Sequence, residues 1–204
     1  MPRAGAGGPG PAEPLAQWSV FSAWAGRFPL RKAFRHRPSG LLRNRREFWE
    51  RHAAHGIKDG MELAHQLFVS MGLRSAARLA RRAGNLPAAR AWGQNAGRLR
   101  KAMLGPGKYA LVERGRLIKR RAADGAAQWE VRPPAGSGLP AKTPLFEKGR
   151  HLLDPDTSMA LPIAWEFVDP AGRIARRTLD RLEGLWNQRL TGGGYGRYHV
   201  SSEP

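Results

Sequence analysis

The stretch MELAHQLFVSMGLRSAARLARRAGNLPAARAWGQNAGRLRKAMLGPG, residues 61–107, decides the expected fold. Both halves repeat apolar residues at the three- and four-residue spacing of one helix face. Gly84 and Asn85 are typical of a helix end, and Pro87 suits the first turn of a following helix. Two helices with so short a connection pack as an antiparallel hairpin. The apolar positions are Leu63, Leu67, Met71, Leu73, Ala76, Ala77 and Ala80, then Ala88, Trp92, Ala96, Leu99 and Met103.

The composition bounds the class of protein. The chain has 204 residues, and its 35 lysines and arginines against 16 aspartates and glutamates give a formal net charge of +19. The length allows one ordinary domain or two small ones. The absence of cysteine excludes disulfides, thiolate metal sites and cysteine nucleophiles. The chain has no apolar run of membrane-spanning length and no secretory signal pattern at its N-terminus. We therefore expect a cytoplasmic protein with no membrane span.

The positive charge is uneven along the chain. Residues 1–46 carry a net charge of +8, residues 47–104 and 105–150 carry +6 each, and residues 151–204 carry −1. One interpretation is a nucleic-acid footprint, which would place the arginines on one face or stripe. The other is a compositional bias toward arginine, alanine, glycine and proline on solvated faces. Dispersal of the charges favours the second interpretation.

The N-terminal region is expected to lie outside the main domain. Residues 1–14 are rich in glycine, proline and alanine, which predicts a disordered tail. Residues 15–43 interleave aromatic and basic side chains and remain unassigned. Such a segment can stack nucleic-acid bases, or it can form an amphipathic helix that packs on the core. The aromatic residues are Trp18, Phe21, Trp24, Phe28 and Phe34.

The chain changes character after the hairpin. Short apolar groups and the turn signal Asp124-Gly125 predict a β-like excursion within 108–132. The apolar run over 157–168 is expected to be helical, with Pro162 near its first turn. Asp169 followed by proline predicts the cap of another helix that reaches about residue 187.

Three segments in order resemble the catalytic domain of glucoamylase-like glycoside hydrolases, a family that includes bacterial glucoamylases and trehalases. They are REFWERHAAHG (46–56), DTSMALPIAWEFVDPAGRIARRTLDRLEGLW (156–186) and GGGYGRYHV (192–200). The resemblance implies an all-α fold over residues 44–204, in which antiparallel helical hairpins form part of an (α/α) toroid. It also implies an inverting, exo-acting glucosidase that hydrolyses terminal α-glucosidic bonds of an oligosaccharide or glucoside without a cofactor.

The same resemblance assigns the site residues. Glu50 matches the family's general acid, and the alternative is a surface glutamate paired with Arg46. Arg197 matches an arginine that contacts the sugar. Trp49, Tyr195 and Tyr198 would stack on sugar faces, and the alternative for their loop is a solvent-exposed turn with a structural tyrosine. No metal site is expected, because the histidines at 52, 55 and 65 lack a zinc-binding spacing.

Departures from the family pattern imply an incomplete enzyme. Arg51 replaces the second acid of the family's Trp-Glu-Glu stretch, and the water-activating base belongs to a hairpin that would follow Pro204. We therefore expect this chain to lack glycosidase activity. The alternative function is that of a basic, helical nucleic-acid-binding protein. A third hypothesis is an interaction module whose uncovered helix faces cause self-association.

Overall fold

The helical hairpin is confirmed in a computed structural model, which describes residues 26–45, 59–131, 146–147, 150–186 and 193–196. Helix α1 spans Leu63–Arg82 and helix α2 spans Leu86–Leu104. Gly84 adopts a left-handed φ of +75° between them, a conformation in which glycine avoids the steric cost of a side chain. Asn85 then caps α2, because its side-chain oxygen accepts a hydrogen bond from the amide of Ala88 at 3.2 Å.

The apolar faces of α1 and α2 form the main core. Leu67 and Leu73 of α1 are buried, and so are Trp92 and Leu99 of α2. A polar contact adds to this packing, since the buried Ser70 hydroxyl donates to the carbonyl of Ala96 at 3.0 Å. Burial of large apolar side chains stabilises the pair by about 1.5–3 kcal/mol per residue. The hairpin is thus held by the periodic residues that predicted it.

Short antiparallel strands accompany the hairpin. Strand β1 (Gly60–Glu62) directly precedes α1, and it pairs with β4 (Arg120–Ala122). Strands β2 (Val112–Glu113) and β3 (Arg116–Leu117) form a hairpin after α2. The remaining strands pair in the order β5-β7-β6, with the bounds Glu130–Val131 (β5), Phe146–Glu147 (β6) and Arg150–Leu152 (β7). The β-like excursion predicted within 108–132 is present.

Two short helices follow the strands. A 3-10 turn over Thr157–Ala160 leads into the four-residue helix α3 (Leu161–Ala164). Helix α4 (Arg173–Leu182) has ten residues and continues as a 3-10 turn over Glu183–Leu185. No described helix has the length and apolarity that a bilayer span needs.

The prediction of an all-α toroid is wrong. The described chain contains a single hairpin of long helices, and its other helices have four and ten residues and are interspersed with antiparallel strands. The physical reason is visible in the run 157–168, which was expected to be one helix. That run holds only a 3-10 turn and a helix of four residues that ends at Ala164, and Glu166 then takes a left-handed φ of +53° that an α-helix cannot continue.

Part of the N-terminal region joins the domain. Leu41 and Leu42 are buried in the core. The amide of Leu42 donates to the side chain of Gln66 at 2.8 Å, and the Gln66 amide donates back to the Leu42 carbonyl at 2.8 Å. Residues 41 and 42 therefore pack on α1, and Arg35 reaches α2 through a hydrogen bond to the Asn95 side chain at 3.2 Å. The predicted tail at 1–14 and the aromatic residues at 18, 21 and 24 lie outside the described residues.

Candidate nucleic-acid interface

An arginine-lined groove runs along the hairpin and has a volume of about 420 Å³. Its floor is made of small residues from both helices, and four arginines of α1 stand around it. The arginine side chains are exposed, whereas Ala77 and Ala89 of the floor are buried. We call this feature the arginine groove. It is lined by Arg74, Ala77, Arg78, Arg81, Arg82, Ala89 and Gly93.

Helical spacing brings the four arginines together. Arg78 follows Arg74 by four residues, and Arg81 and Arg82 follow by seven and eight, so all four project toward one side of α1. At 1.5 Å of rise per residue, they cover about 12 Å of helix axis. The small residues of the floor keep the groove open, because a Cβ atom added at Gly93 would come no closer than 4.0 Å to the Ala77 methyl.

The electrostatics of the hairpin are one-sided. Residues 63–104 contain eight lysines and arginines and no aspartate or glutamate. Of the four groove arginines, Arg78 donates a hydrogen bond to the Ser75 hydroxyl at 3.0 Å. The guanidinium groups of the other three have no hydrogen-bonding partner among the residues that the structure describes. The groove therefore offers guanidinium donors and positive charge to an anion that carries several charges.

A buried charged layer lies under the strands, and the sequence analysis did not find it. The ammonium group of Lys119 donates to Asp156 Oδ2 at 2.6 Å, and these side chains are 1% and 0% exposed. Arg120 of β4 is fully buried and donates from Nη1 to Glu62 Oε2 of β1 at 3.2 Å. These pairs connect segments that are 37 and 58 residues apart in sequence, which is consistent with a structural role.

The layer reaches the surface at His65. The His65 Nδ1 atom lies 2.9 Å from Glu62 Oε2, and the His65 side chain is 28% exposed. Asn44 lies between them, since its side-chain amide is 2.9 Å from His65 Nδ1. Asn44 also accepts a hydrogen bond from Arg120 Nη2 at 2.8 Å. Within the described ranges, no group of three or more histidines and carboxylates is arranged to hold a metal ion.

Asp154 belongs to the same layer and has a perturbed acidity. Its carboxylate accepts hydrogen bonds from Arg116 Nη1 at 3.0 Å and from the amide of Lys119 at 3.2 Å. Burial raises the pKa of Asp154, and the neighbouring arginines only partly oppose this shift. The shift is thus explained by desolvation of a carboxylate inside the fold.

Most of the predicted sugar-site residues cannot be placed. Glu50, Trp49, Arg197 and Tyr198 lie outside the described residues. Tyr195 is described and is 47% exposed. Its hydroxyl donates to the Glu183 carboxylate at 2.8 Å, which raises the pKa of Tyr195, and its ring packs edge-on against Trp186 at 5.0 Å. The described residues therefore do not test the glycosidase hypothesis, which stays a prediction.

Comparison with known proteins finds no matching protein-family model, no matching curated protein and no matching solved structure. The functional argument therefore rests on the side chains themselves. A signal for the arginine groove was present in the sequence, namely the run without acidic residues from 63 to 104 combined with arginines at helical spacing.

Proposed function

We propose that this protein binds nucleic acid and that the arginine groove contacts the phosphate backbone. The observation that carries the proposal is the grouping of four exposed arginines on one side of an acid-free helical hairpin. Guanidinium groups bind phosphate oxygens through paired hydrogen bonds, and backbone contacts of this kind supply most of non-specific affinity.

The grouping favours a polyanion over a neutral sugar. A sugar site places a few polar groups against an apolar or aromatic surface, whereas the floor of this groove holds only alanine and glycine. Four positive charges spread over about 12 Å of helix match a ligand with closely spaced charges, because duplex DNA carries one phosphate charge per about 1.7 Å of its axis. The groove is therefore suited to a phosphate backbone.

The test is the salt dependence of duplex binding. Each phosphate contact contributes about −0.9 to the slope of log K against log salt concentration, so four contacts contribute about −3.6. Between about 50 and 200 mM salt this contribution alone weakens binding about 150-fold. Fluorescence anisotropy with a labelled duplex of random sequence measures the slope.

The informative variant replaces Arg74, Arg78, Arg81 and Arg82 with glutamine, which preserves helix propensity. We expect its slope to be less steep by about 3.6. The matched control replaces Arg37 and Arg176, which are exposed and do not line the groove, with glutamine. An equal change of slope per arginine removed in the two variants would show that net charge, and not the groove, determines binding. Absence of duplex binding at low salt would refute the proposal.

A further inference from the structure

A second concave surface lies between the β2–β3 hairpin, α4 and residue 129, and it has a volume of about 270 Å³. It shares no lining residue with the arginine groove. It combines one indole ring with several charged side chains, and we call it the tryptophan pocket. It is lined by Glu113, Arg114, Arg116, Trp129, Asp154 and Arg181.

The acidic residues of the tryptophan pocket are already paired. Glu113 accepts a hydrogen bond from Arg121 Nη2 at 2.7 Å. Asp154 forms an ion pair with Arg116 at 3.0 Å. The guanidinium groups of Arg114 and Arg181 are exposed and have no hydrogen-bonding partner within the described part of the chain. These two arginines give the pocket an anion-binding character.

The backbone holds Arg114 in place. Arg114 has a left-handed φ of +51°, and its carbonyl accepts a hydrogen bond from Arg177 Nη1 at 2.8 Å. The turn that carries Arg114 is therefore tied to α4, the same helix that carries Arg181. Both arginines therefore line the pocket from connected elements.

Trp129 supplies an aromatic surface beside these arginines. The Arg116 guanidinium lies over its ring at 5.1 Å from the centroid, and the residue is still 39% exposed. The Trp129 carbonyl accepts a hydrogen bond from the amide of Leu153 at 2.8 Å, which fixes the backbone. The part of the indole that Arg116 leaves exposed can stack on a nucleobase.

We propose that the tryptophan pocket binds one nucleotide unit of a single strand, with the base stacked on Trp129 and the phosphate held by Arg114 and Arg181. This inference rests on the proposed nucleic-acid function and names its substrate class. Inorganic phosphate would contact the two arginines and leave the indole without a partner. A neutral aromatic molecule would stack on the indole and leave the two arginines without a partner.

The experiment measures anisotropy of labelled oligothymidylate and of a labelled duplex with the full chain and four variants. We expect Trp129→Ala to weaken oligothymidylate binding by about 5- to 150-fold, the range that stacking of one base provides, and to leave duplex binding within about twofold. Trp129→Phe should restore most of the lost affinity. Arg181→Gln should weaken single-strand binding more than Arg176→Gln, its control on the same helix. Far-UV circular dichroism confirms that each variant is folded.

The outcomes separate this inference from the proposed function. If Trp129→Ala leaves both affinities unchanged, or lowers both equally, the tryptophan pocket is not a single-strand site, while the arginine groove still stands. If the wild-type chain binds neither nucleic acid at low salt, the proposed function fails and the inference fails with it. Competition by adenosine monophosphate at micromolar concentration would assign the pocket to free nucleotides and overturn the strand assignment. Competition only at millimolar concentration supports that assignment.

Discussion

Replacing Lys119 with methionine removes the cation that stands 2.6 Å from the Asp156 carboxylate in the interior. Both side chains are at most 1% exposed, so water cannot replace the lost partner without opening the structure. Breaking a buried pair from one side costs about 3–5 kcal/mol in the free energy of unfolding. A domain of ordinary stability has about 5–15 kcal/mol in total, so the variant should be close to unfolding.

The second arm of this prediction is Asp156→Asn. Asp156 also caps the 3-10 turn that follows it, because its Oδ1 accepts a hydrogen bond from the amide of Ser158 at 2.8 Å. Asparagine keeps that acceptor and removes only the charge. We expect a loss similar to that of Lys119→Met, and a double variant that is much less destabilised than the sum of the two, because it leaves neither charge buried alone.

Urea unfolding at neutral pH, followed by far-UV circular dichroism, measures all four proteins of the cycle. Arg43→Gln is the control, because the Arg43–Asp59 pair is exposed and should contribute far less than a buried one. Single variants that each cost less than about 1 kcal/mol, or a double variant equal to the sum, would refute a strongly coupled buried pair.

Three further predictions concern stability. Gly97→Ala should stabilise α2 by about 0.5–1 kcal/mol, since a methyl at this exposed helical position meets nothing within 4 Å; a lower melting temperature would contradict this. Asn85→Ala should cost about 1 kcal/mol in urea unfolding through loss of the α2 cap, and an unchanged midpoint would show that the cap is dispensable. The two aspartates that titrate abnormally should respond to pH with opposite signs. Burial raises the pKa of Asp154, so the carboxyl binds its proton more tightly in the folded state than in the unfolded state. The wild type should therefore gain stability relative to Asp154→Asn as the pH falls through the folded pKa toward 3.8. The hydrogen bond from Arg43 lowers the pKa of Asp59, so the wild type loses stability relative to Asp59→Asn as the pH falls below 3.8. Unfolding curves measured across the acid range check both signs, and equal slopes for the two variants would contradict the assignment.

The hairpin was predictable because its information is local. Apolar spacing, the Gly84-Asn85 stop and the proline of the next first turn all act within a few residues, and the structure reproduces each of them. Asp169 shows the limit of such signals. It was predicted as a helix cap, and its side chain does accept a hydrogen bond from the amide of Ala171 at 3.0 Å, yet α4 begins only at Arg173.

The pairing of the strands and the buried charges were not predictable for a different reason. Strands of two or three residues carry no readable alternation, and their register depends on partners that are distant in sequence. Glu62 is opposite Arg120 across the β1–β4 pair, 58 residues further along the chain. Nothing in the sequence near either residue identifies the other. The all-α toroid was implied by the resemblance of three local segments, and such segments carry no information on which distant strands pair.

The location of the charged residues bears on the two interpretations of the positive charge, a nucleic-acid footprint and a compositional bias. A bias toward arginine would add positive charge without regard to the acidic residues. In the described structure three acidic residues, Glu62, Asp154 and Asp156, form ion pairs with basic partners in the interior, whereas others such as Asp180 and Glu183 are exposed. The acid-free hairpin presents its groove arginines to solvent. The local contrast comes from the hairpin itself, whose eight basic residues share its sequence with no acidic residue. The proposed nucleic-acid function predicts binding that depends on the groove arginines, whereas a compositional bias predicts that arginines on any exposed face contribute equally.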